Sequence, residues 1–210
     1  MIEGILKRHY QRYCVDPLVK RLSLRVTPTI ITLLGGVIGV LAAVCVAINR
    51  PYWAILGLFI SGYLDTLDGP LARYQNTSTP AGAVFDIMMD RLVEVAIVLG
   101  LFAIAPASRA WPIIVIMASF YLCISSFLVV GIFSENTSLK GFYYSPGLIE
   151  RVEAFIFFGL MIIFPQHFFM ISWLFSSLVV MTAIMRISEF IKAKALAKKA
   201  GNGGLYRPMC

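Results

Sequence analysis

Six apolar runs divide the chain at roughly 29–49, 52–72, 82–106, 111–133, 147–165 and 168–190. A membrane-crossing helix needs about 20 mostly apolar residues, so each run is expected to be one. Pro51, Pro106, Pro112, Pro146 and Pro165 fall at the joints between runs, where proline punctuates helices. Within the first run, Gly35 and Gly39 form a small-xxx-small pair suited to close helix packing. Upstream, Ile2, Ile5, Leu6, Tyr10 and Tyr13 fall on one helical stripe with Lys7, Arg8 and Arg12 off it. That pattern predicts a helix lying in the membrane interface. The expected architecture is therefore an all-α polytopic membrane protein, with six transmembrane helices after an N-terminal interfacial amphipathic helix. Its parts are an amphipathic segment at 1–25, a six-helix domain at 26–195 and a polar, glycine-rich flexible tail at 196–210.

Composition sharpens this picture. The 210 residues are 59% hydrophobic and 14% charged, with a mean hydropathy of +0.83. A soluble domain carries about a quarter charged residues, and this much apolar surface exceeds what one such domain can hide. Disordered, collagen-like and disulfide-scaffold chains have other compositions. The net charge of +7 resides largely in two clusters. Lys7, Arg8, Arg12, Lys20, Arg21 and Arg25 precede the first run, and Lys192, Lys194, Lys198, Lys199 and Arg207 follow the last. Beside apolar runs these are cytoplasmic anchors near anionic lipid, and no nucleic-acid partner is expected. The loops expected outside carry only Arg50 and Arg109. Both termini and the 73–81 and 134–146 loops are thus predicted to be cytoplasmic. The N-terminal segment lacks the short apolar core and cleavage site of a signal peptide, so it is expected to be retained. Cys14, Cys45, Cys123 and Cys210 have no metal-ligand spacing, and His9 and His167 fall on opposite predicted sides.

The acids are placed unlike the bases. Four of the five aspartates lie between Asp65 and Asp90, inside or beside the second and third runs. Ionised side chains there are costly and mark function. Asp65 and Asp68 are three apart and Asp86 and Asp90 four apart, so each pair shares a helix face. The turn Gln75–Pro80 lets the two helices lie antiparallel, with all four carboxylates in one gap. Arg73 and Arg91 cannot neutralise four acids. Divalent cations can, and an all-oxygen set without nearby histidine or cysteine favours Mg²⁺, Mn²⁺ or Ca²⁺ over Zn²⁺. Such cations commonly clamp a phosphate or pyrophosphate.

These residues form a longer pattern. Asp65-Thr-Leu-Asp68-Gly69-Pro-Leu-Ala72-Arg73 is followed after eight residues by Gly82, then by Asp86 and Asp90, with three residues in each gap. This resembles the signature of the CDP-alcohol phosphotransferases at every fixed position and gap, and the six-span count is also that family's. The resemblance implies displacement at phosphorus: an alcohol attacks the phosphate distal to cytidine in a CDP-linked donor, and CMP leaves. It implies Asp65, Asp68 and Asp86 as metal ligands for Mg²⁺ or Mn²⁺, with two ions. Asp90 becomes the general base with a share in the second metal. Gly69, Ala72, Arg73 and Gly82 fall on the donor side. Gly69 permits close approach of the nucleotide and, with Pro70, a helix kink. Arg73 offers a forked phosphate donor or a positive-inside anchor. Gly82 is a ligand-side or helix-packing glycine. The resemblance further implies a homodimer in a bacterial or archaeal inner membrane, with a cytoplasmic active site.

The acceptor is less constrained by the pattern. Lys140 lies in the 134–146 loop, Glu150, Arg151 and Glu153 open the fifth run, and Arg186 lies near the cytoplasmic end of the sixth. Arg151 pairs with a neighbouring glutamate or, with Lys140 and Arg186, forms a basic pocket for a polyol phosphate such as glycerol 3-phosphate or inositol phosphate. The Asp90-Arg91 pair and Leu148-Ile-Glu-Arg151 resemble the inositol-phosphate branch. Val152-Glu153 departs from it, and Glu94 is an unassigned acid. A CDP-lipid donor such as CDP-diacylglycerol fits six spans. The reverse arrangement, CDP-choline or CDP-ethanolamine with diacylglycerol, uses the same motif in longer chains. An intramembrane prenyltransferase predicts acidic motifs far apart. A cation-coupled transporter predicts repeats and broken helices, which this sequence lacks.

Overall fold

The computed structural model describes residues 15–22, 26–133, 149 and 151–202, with side chains to 195. Lys140, Glu150, most of the amphipathic segment and the last residues of the tail lie outside these. Among the described residues the chain is helical: α1 Asp16–Leu22, α2 Pro28–Ala47, α3 Pro51–Tyr74, α4 Pro80–Ile104, α5 Pro106–Phe133, α6 Arg151–Ile163 and α7 Phe168–Asn202, with a 3₁₀ turn at Pro165–His167 before α7. Pro28, Pro51, Pro80 and Pro106 each open a helix, where the missing amide costs nothing.

Among the described residues, three stretches are long and apolar enough to cross a membrane: Pro28–Ala47, Pro106–Phe133 and Pro165–Ala195. Helices α3 and α4 have comparable lengths, 24 and 25 residues. Asp65, Asp68 and Arg73 interrupt the apolar character of α3, and Asp86, Asp90, Arg91 and Glu94 that of α4. Large apolar side chains face outward, with Trp53, Phe59, Trp111 and Ile132 between 66% and 74% exposed. Such a surface is at home in lipid.

Two units are distinguished by their internal packing. One comprises the described residues up to Ile113 with Phe158–Gln166, and the other Ile114–Phe157 and the chain from His167 onward. In the first, α2 packs against both α3 and α4. Its glycines make this possible. A Cβ on Gly36 would come within 2.9 Å of Met89 Sδ, and one on Gly39 within 2.6 Å of Val93. Contacts 36 to 89, 39 to 93 and 43 to 100 advance together, so α2 and α4 run parallel. Polar links of α2 to α3 run in opposite register. Gln75 Nε2 donates to the Val26 carbonyl at 2.9 Å and Ser61 Oγ to the Gly35 carbonyl at 2.8 Å. Helices α3 and α4 are therefore antiparallel, as the sequence predicts. Val15 and Val19 bury beside Ile31, Leu67 and Leu71, while Asp16, Lys20 and Arg21 stay exposed. The stripe of Ile2, Ile5, Leu6, Tyr10 and Tyr13 lies outside the described residues; α1 itself has one buried and one exposed side.

Two details differ from the expected joints. Pro112 lies inside α5 and does not separate helices; membrane helices tolerate such interior prolines when neighbouring groups satisfy the freed backbone. Arg109, expected in an exterior loop, is buried in the first turn of α5. It donates from Nη1 to the Leu101 carbonyl at 2.9 Å, supplying a donor to the last turn of α4.

The helix seam yields a stability prediction. A Cβ on Gly100 would stand 2.5 Å from the Ala43 carbonyl oxygen, a backbone atom with little freedom to move. Gly100→Ala is expected to lower stability by about 1–3 kcal/mol through overpacking. Thermal unfolding in detergent checks this, and a raised melting temperature contradicts it.

Candidate active site

The acidic site is set by how α3 ends and α4 begins. Past Tyr74, Asn76 adopts φ 55°, a left-handed conformation that asparagine tolerates. Its amide donates to the Arg73 carbonyl at 3.2 Å and that of Thr77 to the Ala72 carbonyl at 2.9 Å. This pair of bonds is a Schellman helix stop. Thr79 then caps α4, its Oγ1 accepting from the Gly82 amide at 3.1 Å, with Pro80 in the first helical position. The motif's Ala72, Arg73 and Gly82 thus help to build the turn between the two acid-bearing helices.

Across that turn, Asp65, Asp68 and Asp86 bring one carboxylate oxygen each to within 4.8 Å of one another. Asp68 is buried; Asp65 and Asp86 are half-buried, although Asp86 Oδ1 is closed off from solvent. Asp90 lies one turn further along α4, half-buried and outside the group of three. Three like charges so close repel unless a cation lies among them. Hard oxygen donors from two antiparallel helices suit Mg²⁺, Mn²⁺ or Ca²⁺, so the residues present fit a divalent ion.

Other singled-out residues distribute around this cluster. Among the described residues, a Cβ on Gly69 would meet only Arg73 Nη1, at 3.6 Å, so the exposed guanidinium extends over Gly69. A Cβ on Gly82 would meet only Thr79 Oγ1, at 3.2 Å. Gly82 therefore belongs to the helix cap, and among the described residues no second helix packs on it. Pro70 stands inside a continuous α3. Arg91 donates from Nη1 to Glu94 Oε2 at 2.6 Å, with Glu94 buried. This accounts for Glu94, the acid the motif leaves unassigned.

Of the expected acceptor residues, Arg151 and Arg186 lie in the second unit. The Ile149 amide donates to Thr182 Oγ1 at 3.1 Å, bringing the chain before α6 to the turn of α7 that precedes Arg186. Arg186 donates from Nη1 to the Cys123 carbonyl at 3.2 Å and to Ser126 Oγ at 3.3 Å, and stacks 5.3 Å from the Phe127 ring centre. Arg151 lies 5.3 Å from the ring centre of Phe155.

One polar contact at the site is invisible in the motif. Thr32 Oγ1 on α2 donates to Asp68 Oδ2 at 2.6 Å, a buried bond between residues 36 apart in sequence. Its only sequence signal is a threonine inside a mostly apolar run.

Fold and site together define a helical membrane protein built around a carboxylate cluster able to hold a metal. The chain belongs to the CDP-alcohol phosphatidyltransferase family, whose sequence profile matches residues 25–185. YnjF, an inner membrane protein of Escherichia coli K12, is 32% identical over 182 residues, covering 83% of this chain and 88% of that protein. The phosphatidylinositol phosphate synthase of Mycobacteroides abscessus is 28% identical over 74% of this chain and 70% of its own. Crystal structures of the Mycobacterium tuberculosis phosphatidylinositol phosphate synthase share the fold. The complex with manganese and citrate has a TM-score of 0.68 at 21% identity, covering 83% of this chain and 87% of that one. The complex with CDP-DAG has a TM-score of 0.62 at 24% identity, covering 83% and 92%.

Proposed function

We propose that this family member transfers a phosphatidyl group from a CDP-lipid, CDP-diacylglycerol, to a small hydroxyl acceptor and releases CMP. The observation that carries this is the convergence of Asp65, Asp68 and Asp86 within 4.8 Å, with Asp90 one turn beyond. The three hold Mg²⁺ or Mn²⁺, with Asp90 sharing a second ion. Bound metal supplies charge neutralisation at the pyrophosphate and orients the leaving oxygen. Arg73 adds a forked donor for the phosphates, and Gly69, Ala72 and Gly82 line the donor side. Asp90 accepts the proton of the attacking hydroxyl. The new O–P bond forms at the phosphate distal to cytidine, and the bond to the CMP oxygen breaks. The manganese and CDP-DAG complexes of the tuberculosis synthase support both the metal and the donor.

In this reading the chain keeps six transmembrane helices behind an interfacial N-terminal helix. It comprises segments 1–25, 26–195 and 196–210, and works as a homodimer in a bacterial or archaeal inner membrane. Both termini and the active site face the cytoplasm. The acceptor is a polyol phosphate, inositol phosphate or glycerol 3-phosphate, met by Lys140, Arg151 and Arg186. Two relatives that are phosphatidylinositol phosphate synthases support it. The test is product formation from CDP-diacylglycerol with serine, glycerol 3-phosphate, inositol, inositol phosphate and choline. A phosphorylated polyol is expected to give the fastest turnover; preference for serine or choline overturns the acceptor assignment. Turnover of CDP-choline with diacylglycerol instead would reverse donor and acceptor.

A further inference from the structure

We propose that Thr32 is a positioning residue for the metal site, its hydroxyl fixing the plane of the Asp68 carboxylate. This rests on the metal-site reading above. The terminal torsion of an aspartate is soft and roughly two-fold, so its carboxylate plane is set by what it touches. Asp68 is buried, and Thr32 Oγ1 reaches its Oδ2 at 2.6 Å, the short distance of a hydroxyl donating to a charged oxygen. The same Oγ1 lies 3.2 Å from the Pro28 carbonyl, one turn back on α2. A helical threonine ordinarily back-bonds in that way; here the closer acceptor belongs to another helix.

The donor stands on a rigid element. Ser61 bonds to the Gly35 carbonyl at 2.8 Å on one side of Thr32, and Gln75 to the Val26 carbonyl at 2.9 Å on the other. Met89 and Val93 of α4 seat against Gly36 and Gly39 of α2. Helix α2 supplies no carboxylate, yet it holds both acid-bearing helices and orients the most buried of the three acids. Hydrogen-bond partners behind metal-binding side chains act in this way.

The test uses the purified full chain in detergent without CDP-lipid, with unbound Mn²⁺ read by electron paramagnetic resonance. Thr32→Val is expected to weaken Mn²⁺ binding by about 10–100-fold. Thr32→Ser, which keeps the hydroxyl, is expected to restore it. Melting in EDTA reports the fold of each variant, and Thr32→Ala replaces the valine variant if that one does not fold. Wild-type Mn²⁺ affinity without the hydroxyl, while Asp68→Asn loses binding, overturns the role of Thr32 alone. An equal loss in Thr32→Ser also overturns it. Wild-type affinity in Asp68→Asn overturns the metal site itself, and the proposal with it.

Discussion

Asp90→Asn is expected to lower CMP release about 10²–10⁴-fold, the range a general base contributes, while CDP-lipid and the Mn²⁺ held by the three clustered carboxylates still bind. The substitution keeps shape and polarity but removes the group that accepts the acceptor's proton. Asp90 stands apart from the three clustered carboxylates, so it can be neutralised without dismantling them. Turnover and Mn²⁺ binding are measured on the same preparation. Full turnover by the variant contradicts the base assignment, and loss of both properties together assigns Asp90 chiefly to the metal.

Asp68→Asn is expected to abolish metal binding and turnover together. Asp68 is the buried member of the cluster and the one tied to Thr32. Asparagine can still accept the Thr32 hydrogen bond, but it carries no charge to hold a cation. Its effect on Mn²⁺ affinity is expected to exceed the roughly 10–100-fold typical of losing a partner behind a ligand. Thermal melting in EDTA separates this from misfolding, since removing one of three mutually repelling charges does not destabilise the metal-free protein. Unchanged Mn²⁺ affinity contradicts the assignment.

The aspartates were readable from sequence because charge in an apolar run is conspicuous and helix periodicity says which acids share a face. Asp65, Asp68 and Asp86 converge as that argument requires, whereas Asp90, expected in the same gap, lies one turn beyond them. The helix limits were readable too, since proline marks a start even without its neighbours: Pro51 and Pro106 open α3 and α5. Pro112 misled for the same reason, because a proline inside a membrane helix carries the same local signature as one at its start. Arg109 looked like a loop charge because its partner, the Leu101 carbonyl, belongs to a preceding helix and has no side-chain signature. Thr32 was hidden more deeply. Its back-bond to Pro28 is what local reasoning expects, whereas its bond to Asp68 depends on how two helices pack. Patterns along one chain report helices and costly residues; contacts between helices set by glycine seams, such as Gly36 on Met89, leave only weak traces in them.

The most direct measurement is CMP formation from CDP-diacylglycerol by the purified full chain, with the acceptor panel present and Mn²⁺ or Mg²⁺ either supplied or removed by EDTA. Acceptor-dependent CMP release is expected to disappear in EDTA, to return on adding metal and to be absent in Asp68→Asn. CMP release indifferent to metal, or cation flux into vesicles with no CMP formed under any condition, would contradict this expectation.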